Sequence, residues 1–173
     1  VRSDWLQYYG HYLYANRAIL SYGIHGRRIL ETLDATRTDD LLTVIHSLRI
    51  GAGQATLRLA AGQFGQPGSP AGLIPIGQTH LVGRGGGAAG HLAMIDDQES
   101  HIVAAIIGDT QGLTWTIDQQ NRMVVTMEPA SQPRNVRIIR SHGVGEEHLK
   151  SFGDYVARLD RNTRAPDLLE MTH

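Results

Sequence analysis

The sequence predicts an α+β fold, N-terminal helices packed on an antiparallel β-sheet, on three observations. Over the first fifty residues apolar side chains recur at three- and four-residue spacings, the period of a helix with one buried stripe. From Thr79 onward the pattern changes to short runs separated by turn residues, which reads as consecutive antiparallel strands. Glu146 to Asp160 then closes the chain as an amphipathic helix through Leu149, Phe152, Tyr155, Val156 and Leu159.

Taken in order, Ser3-Asp4 reads as an N-cap, and Trp5, Tyr8, Tyr9, Tyr12 and Leu13 form the first helical face. Ala15, Ala18, Ile19, Tyr22 and Ile29 continue it to about Thr32, with Gly10, Gly23 and Gly26 as breaks, so two shorter helices are expected rather than one. Ala15 and Ala18 are small residues on a face of large ones. They fit close packing against a sheet, or room left for a substrate. A further helix is expected from Asp34 to Arg49, capped by Asp39 or Thr38 and buried through Leu41, Leu42, Val44, Ile45 and Leu48. The region 62–90 reads as a long Gly/Pro-rich loop, with Pro67, Pro70 and Pro75 in its first half. Strands are expected at His80 to Val82, His91 to Ile95, His101 to Ile107, Leu113 to Asp118, Met123 to Met127 and Val136 to Arg140.

Composition narrows the function. At 173 residues the chain is one domain by size, residues 1–173, and its start at Val1 suggests a piece of a longer protein. A formal net charge of −1 argues against a broad nucleic-acid footprint, and no apolar run is long enough to span a bilayer. Cysteine is absent, which excludes disulfides and thiolate metal sites. The histidines show no ligand spacing, so no metal or other cofactor is expected.

The pair that carries chemistry is His101 with Asp118. If the run from His101 to Ile107 and the alternating run Leu113, Trp115, Ile117 form a hairpin, the first residue of one strand lies beside the last of the other. A carboxylate beside an imidazole fixes its tautomer and stabilises imidazolium, which is two thirds of a nucleophilic triad. The plain alternative is a strand-end histidine and a turn-forming aspartate. A competing pairing joins His91 to Asp109, where Asp109-Thr110-Gln111-Gly112 repeats the Asp-x-Gln pattern.

The order of these parts, with His91 to Ile95, Ser100 to Ala105, Thr116 to Gln120 and Val136 to Arg140 as matching words, resembles the papain-like fold toxin domains of bacterial polymorphic toxins and injected effectors. Those domains use a Cys-His-Asp triad, commonly for glutamine deamidation. The segment Tyr14 to Tyr22 is similar to the family's nucleophile segment with its cysteine gone. The resemblance implies Ala15, with Ala18 as second choice, at the position of the missing cysteine, His101 as acid and base, Asp118 as its orienter, and Gln120 as a supporting residue. It also implies a papain-like fold and a cysteine-dependent amidohydrolase, here in an inactive Cys-to-Ala form. The partners implied are a target protein in a recipient cell and a cognate immunity protein, after secretion or injection. Two further readings stay open, a non-catalytic α+β binding module such as an immunity or effector-targeting protein, and a papain-like protease or deubiquitinase.

Overall fold

A meander of four strands replaces the expected N-terminal helices. The computed structural model describes residues 6–38, 41–63, 72–75, 92–96, 100–118, 120, 122–162 and 168–172. Strands β1 (Leu6–Tyr14), β2 (Arg17–Ile24), β3 (Arg27–Thr38) and β4 (Leu41–Ile50) each pair antiparallel with the next. The register sets Tyr14 opposite Arg17 and Ile24 opposite Arg27, leaving two-residue turns at Ala15-Asn16 and His25-Gly26. His25 and Gly26 both have positive φ, 48° and 76°, the backbone that matches the twist of paired strands.

The α+β, papain-like expectation is therefore corrected to a β-rich fold, and the physical reason is visible in β4. Leu41, Thr43, Ile45 and Ser47 are buried on one side of the strand, while Leu42, Val44, His46 and Leu48 line the other. A strand with apolar residues on both sides satisfies three- and four-residue spacings by coincidence. Its β-branched content and the density of Tyr, Thr and Ile through β1–β3 are the competing signal. Gly26 is a turn residue and Gly10 lies at a bulge after Tyr8, so neither breaks a helix.

The remaining strands are β5 (Leu57–Gln63), β6 (Gly72–Pro75), β7 (Leu92–Asp96), β8 (His101–Gly108), β9 (Leu113–Ile117), β10 (Arg122–Met127) and β11 (Arg134–Gly143). Five of these, β7 to β11, fall where strands were expected. The expected Gly/Pro loop contains β6, whereas the expected strand His80 to Val82 lies outside the described residues, as do Asp39 and the cap at Ser3-Asp4. Among the described residues eight strands form one antiparallel sheet in the order β1-β2-β3-β4-β11-β8-β7-β6, and three form a second in the order β5-β10-β9.

Three layers result. One face of the large sheet, through Ile29, Leu48, Ile50, Ile106, Val136 and Ile138, packs on the small sheet through Leu57, Leu113, Met123, Val125 and Met127. The other face receives helix α1 (Gly145–Asn162), which buries Phe152, Tyr155 and Val156 against Leu41, Ile45, Val103, Ala105, Ile107 and Ile139. This helix is where the sequence placed it, and Glu146 and Glu147 suit the positive end of its dipole. Beyond it, Leu168 covers Ile19 and Leu30 on the same side.

Candidate binding face

Residues opposite one another in the register share a side of the sheet, so the faces of β1–β4 can be written out. Tyr8 opposes Tyr22, His11 opposes Leu20, Leu20 opposes Glu31, Leu33 opposes His46 and Arg37 opposes Leu42. These residues lie on the side that carries Ile29, Leu48 and Ile50, the side packed on the small sheet. The small sheet covers only part of it. On the open part Leu6, Tyr8, Leu13, Leu20, Leu33 and Leu42 are all solvent-exposed, from 39% for Leu20 to 78% for Leu13. Single exposed apolar residues are ordinary, but six on one side of four adjacent strands form a patch.

Within this patch three polar side chains on three neighbouring strands join in a line. Tyr22 Oη donates to Glu31 Oε2, and His46 Nε2 lies 2.6 Å from Glu31 Oε1. Burial alone would push the Glu31 carboxyl up, but the contacts with His46 and Tyr22 outweigh it and hold the pKa below the usual value. Burial, then the Glu31 hydrogen bond and charge, push the Tyr22 phenol up. Both carboxylate oxygens are thus engaged inside the protein. At the patch edge Tyr8 Oη and His11 Nδ1 are 3.0 Å apart.

A second feature is a cleft of about 600 Å³ between the start of α1 and the end of β11, lined in part by His142, Glu147, His148, Asp154 and Arg158. Beneath it Ser141 Oγ is 2.8 Å from His148 Nε2, the separation of a nucleophile and its base. The same hydroxyl donates to the Leu42 carbonyl at 2.8 Å, so its proton is committed to the backbone and the imidazole is the donor in the pair. The serine is also buried, at 4% exposure. The arrangement ties the first turn of the helix to β4 and β11, with the His148 ring seated on Gly143. Among the described residues no group of three or more His, Asp or Glu is placed to hold a metal ion.

The residues singled out from sequence fall on different elements. Ala15 occupies the exposed β1–β2 turn with φ of 50°, in a β-hairpin rather than in the first turn of a helix, and Ala18 is exposed on β2. His101 opens β8 in the large sheet, opposite Asp96 and Gly143. Asp118 follows β9 in the small sheet. The β8–β9 hairpin is not formed, because β8 pairs with β7 and β11 while β9 pairs with β10. The connection is an arch between layers, whose face-to-face spacing is roughly 10 Å rather than the ~5 Å of a cross-strand pair.

Asp118 instead builds the β9–β10 turn. Its Oδ1 accepts the N–H groups of Gln120 and Arg122 at 2.9 and 3.0 Å, and its Oδ2 accepts Arg122 Nε at 2.7 Å. The Arg122 side chain, with those N–H groups, holds the carboxyl below the usual range. Gln120 is exposed, and its backbone rather than its side chain serves this turn. Asp109 likewise accepts the Asn135 N–H at 2.8 Å, and His91 lies outside the described residues. The open face escaped the sequence reading because a helical period hides alternation. The signal that would have found it is Leu20, Tyr22 and Leu33, Ala35 flanking a His-Gly turn.

The chain matches no protein-family model and no curated protein. Among solved structures it is similar to one described as a putative kojibiose phosphorylase from human microbiome, at 6% sequence identity and a TM-score of 0.38. That likeness covers 90% of this chain and 22% of the other, and is too loose to carry fold or activity across.

Proposed function

We propose that this chain is a non-catalytic interaction domain that docks an apolar protein surface on the open half of its large sheet. The observation that carries the reading is the six exposed Leu and Tyr side chains projecting from one side of β1–β4. Apolar patches of this kind, with aromatic residues and few charges, characterise the centres of protein interfaces. The Tyr22, Glu31 and His46 line supports it further. A carboxylate already paired on both oxygens can be covered by a partner without leaving a bare buried charge.

The amidohydrolase reading draws no support from the geometry, since the positions of its three parts lie on a turn, a large-sheet strand and a small-sheet turn. The test places a photoreactive benzoylphenylalanine at Leu33 and, as a control, at the exposed helix residue Lys150. Illumination in cell extract is expected to give a discrete cross-linked protein from position 33, abolished by Leu20→Asp, and none from position 150. Equal or absent cross-linking at the two positions overturns the reading. So does ammonia release from a protein substrate on introducing Ala15→Cys.

A further inference from the structure

Resting on that reading, we infer that the partner surface is the same face of a second copy of this chain, giving a face-to-face dimer. The other half of this sheet side already carries such packing. There a twisted sheet is covered by another sheet, β5-β10-β9, with Met123, Val125 and Met127 against Ile29, Leu48 and Ile138. The small sheet stops short of Leu20, Leu33 and Leu42, so the open half is the continuation of an interface already built for sheet-on-sheet packing. A matching sheet face is the complement this geometry calls for, and each molecule carries one.

Charge points the same way. The chain's net charge of −1 imposes almost no repulsion between copies and gives no long-range pull toward a charged partner. The carboxylate at the centre of the face is already occupied within the molecule, since Glu31 accepts from Tyr22 and lies 2.6 Å from His46 Nε2. Breadth favours it as well: six large side chains, 39% to 78% exposed, with Ala18, Ala35 and Val44 between them on four adjacent strands, give the kind of broad apolar face on which a standard interface of ~800 Å² per partner is built. A two-fold axis makes such a contact self-complementary, each residue met by its counterpart region on the partner.

The test is sedimentation of the purified chain over a micromolar concentration series, for wild type, for Leu20→Asp with Leu33→Asp, and for Leu42→Arg. A species of twice the monomer mass is expected for wild type. Each variant should weaken it by about a hundredfold or more, because a charge is placed against an apolar counterpart, while the circular dichroism spectrum and, at concentrations too low for the dimer, the melting temperature stay close to wild type. Benzoylphenylalanine at Leu33 should cross-link the purified chain to itself. A wild type that sediments as a monomer throughout overturns the inference, as does a dimer indifferent to all these substitutions. If the purified chain is monomeric and position 33 captures a different protein in extract, the second-copy inference fails and the interaction reading stands. If position 33 captures nothing in either setting, both fail.

Discussion

Two halves of one sheet are built to different rules. In β8 and β11 both sides are covered, Ala104, Ile106, Val136 and Ile138 by the small sheet and Val103, Ala105, Ile107 and Ile139 by α1. β8 reads as an unbroken apolar run from Ile102 to Ile107, as a strand buried on two faces does, whereas β11 keeps Val136, Ile138 and Ile139 apolar and buries Arg137 among them. In β2 and β3 one side is buried through Ile19, Ser21, Leu30 and Thr32, while the other passes from covered Ile29 to exposed Leu33. The difference teaches where stability ends and recognition begins. Apolar residues at Ile138 and Leu33 occupy the same side of the same sheet, yet only the first has a second layer above it.

The sharpest way to break this contrast is to truncate each residue. Ile138→Ala, at 1% exposure, removes atoms packed between two sheets and should lower unfolding free energy by about 3–4 kcal/mol. Leu33→Ala, at 55% exposure, should change it by no more than about 0.5 kcal/mol. Urea unfolding with an unchanged slope, at a protein concentration below that of dimer formation, measures both. A Leu33 loss comparable to that at Ile138 would mean the face is already covered within one molecule. Next in size is Gly108→Ala at the mouth of the β8–β9 arch. Its φ of 101° suits only glycine, and a Cβ there would collide with the Asn135 carbonyl oxygen, an atom of the backbone. A loss of about 2–4 kcal/mol in a thermal melt is expected.

The contrast also explains how far the sequence could be read. The doubly covered strands are the easier to read: Ile102 to Ile107 is wholly apolar and of strand length, and Val136, Ile138 and Ile139 are β-branched beside Arg137 and Arg140. Helix α1 was equally plain because one stripe of Phe152, Tyr155 and Val156 meets one surface. The meander was misread because Leu42, Val44 and Leu48 on one side of β4 and Leu41 and Ile45 on the other combine into an apparent helical stripe. Pairing was beyond local reading. Nothing in the turn Asp109 to Gly112 says that β9 crosses to another sheet, and that crossing is what separates His101 from Asp118 as strand partners. The residues of the candidate face were legible as types but not as neighbours, since Tyr22, Glu31 and His46 meet only across strands.

A smaller effect probes the tie between the layers. Ser141→Ala deletes the buried hydroxyl that donates to the Leu42 carbonyl and accepts from His148, and so removes the link between β4, β11 and the first turn of α1. About 1–2 kcal/mol of stability should be lost, with helix content retained in circular dichroism. If the serine were instead a nucleophile, the same substitution would abolish labelling by a serine-directed fluorophosphonate, and no labelling of Ser141 is expected.

The smallest effect lies at the centre of the open face and depends on pH. The folded Glu31 carboxyl sits below its unfolded value because His46 and Tyr22 favour the charged form more than burial opposes it. For a depressed acid the stabilisation is fully present above the unfolded value, about 4.3, and is lost as pH falls through the folded one. Acidification below that range should therefore reduce stability. Glu31→Gln should be less stable than wild type near neutrality by about 1 kcal/mol, with a flatter acid limb. Urea midpoints of both proteins from neutral to acid pH measure this. The two curves converge at low pH if the line Tyr22, Glu31, His46 acts as drawn, and stay parallel if the carboxylate contributes nothing.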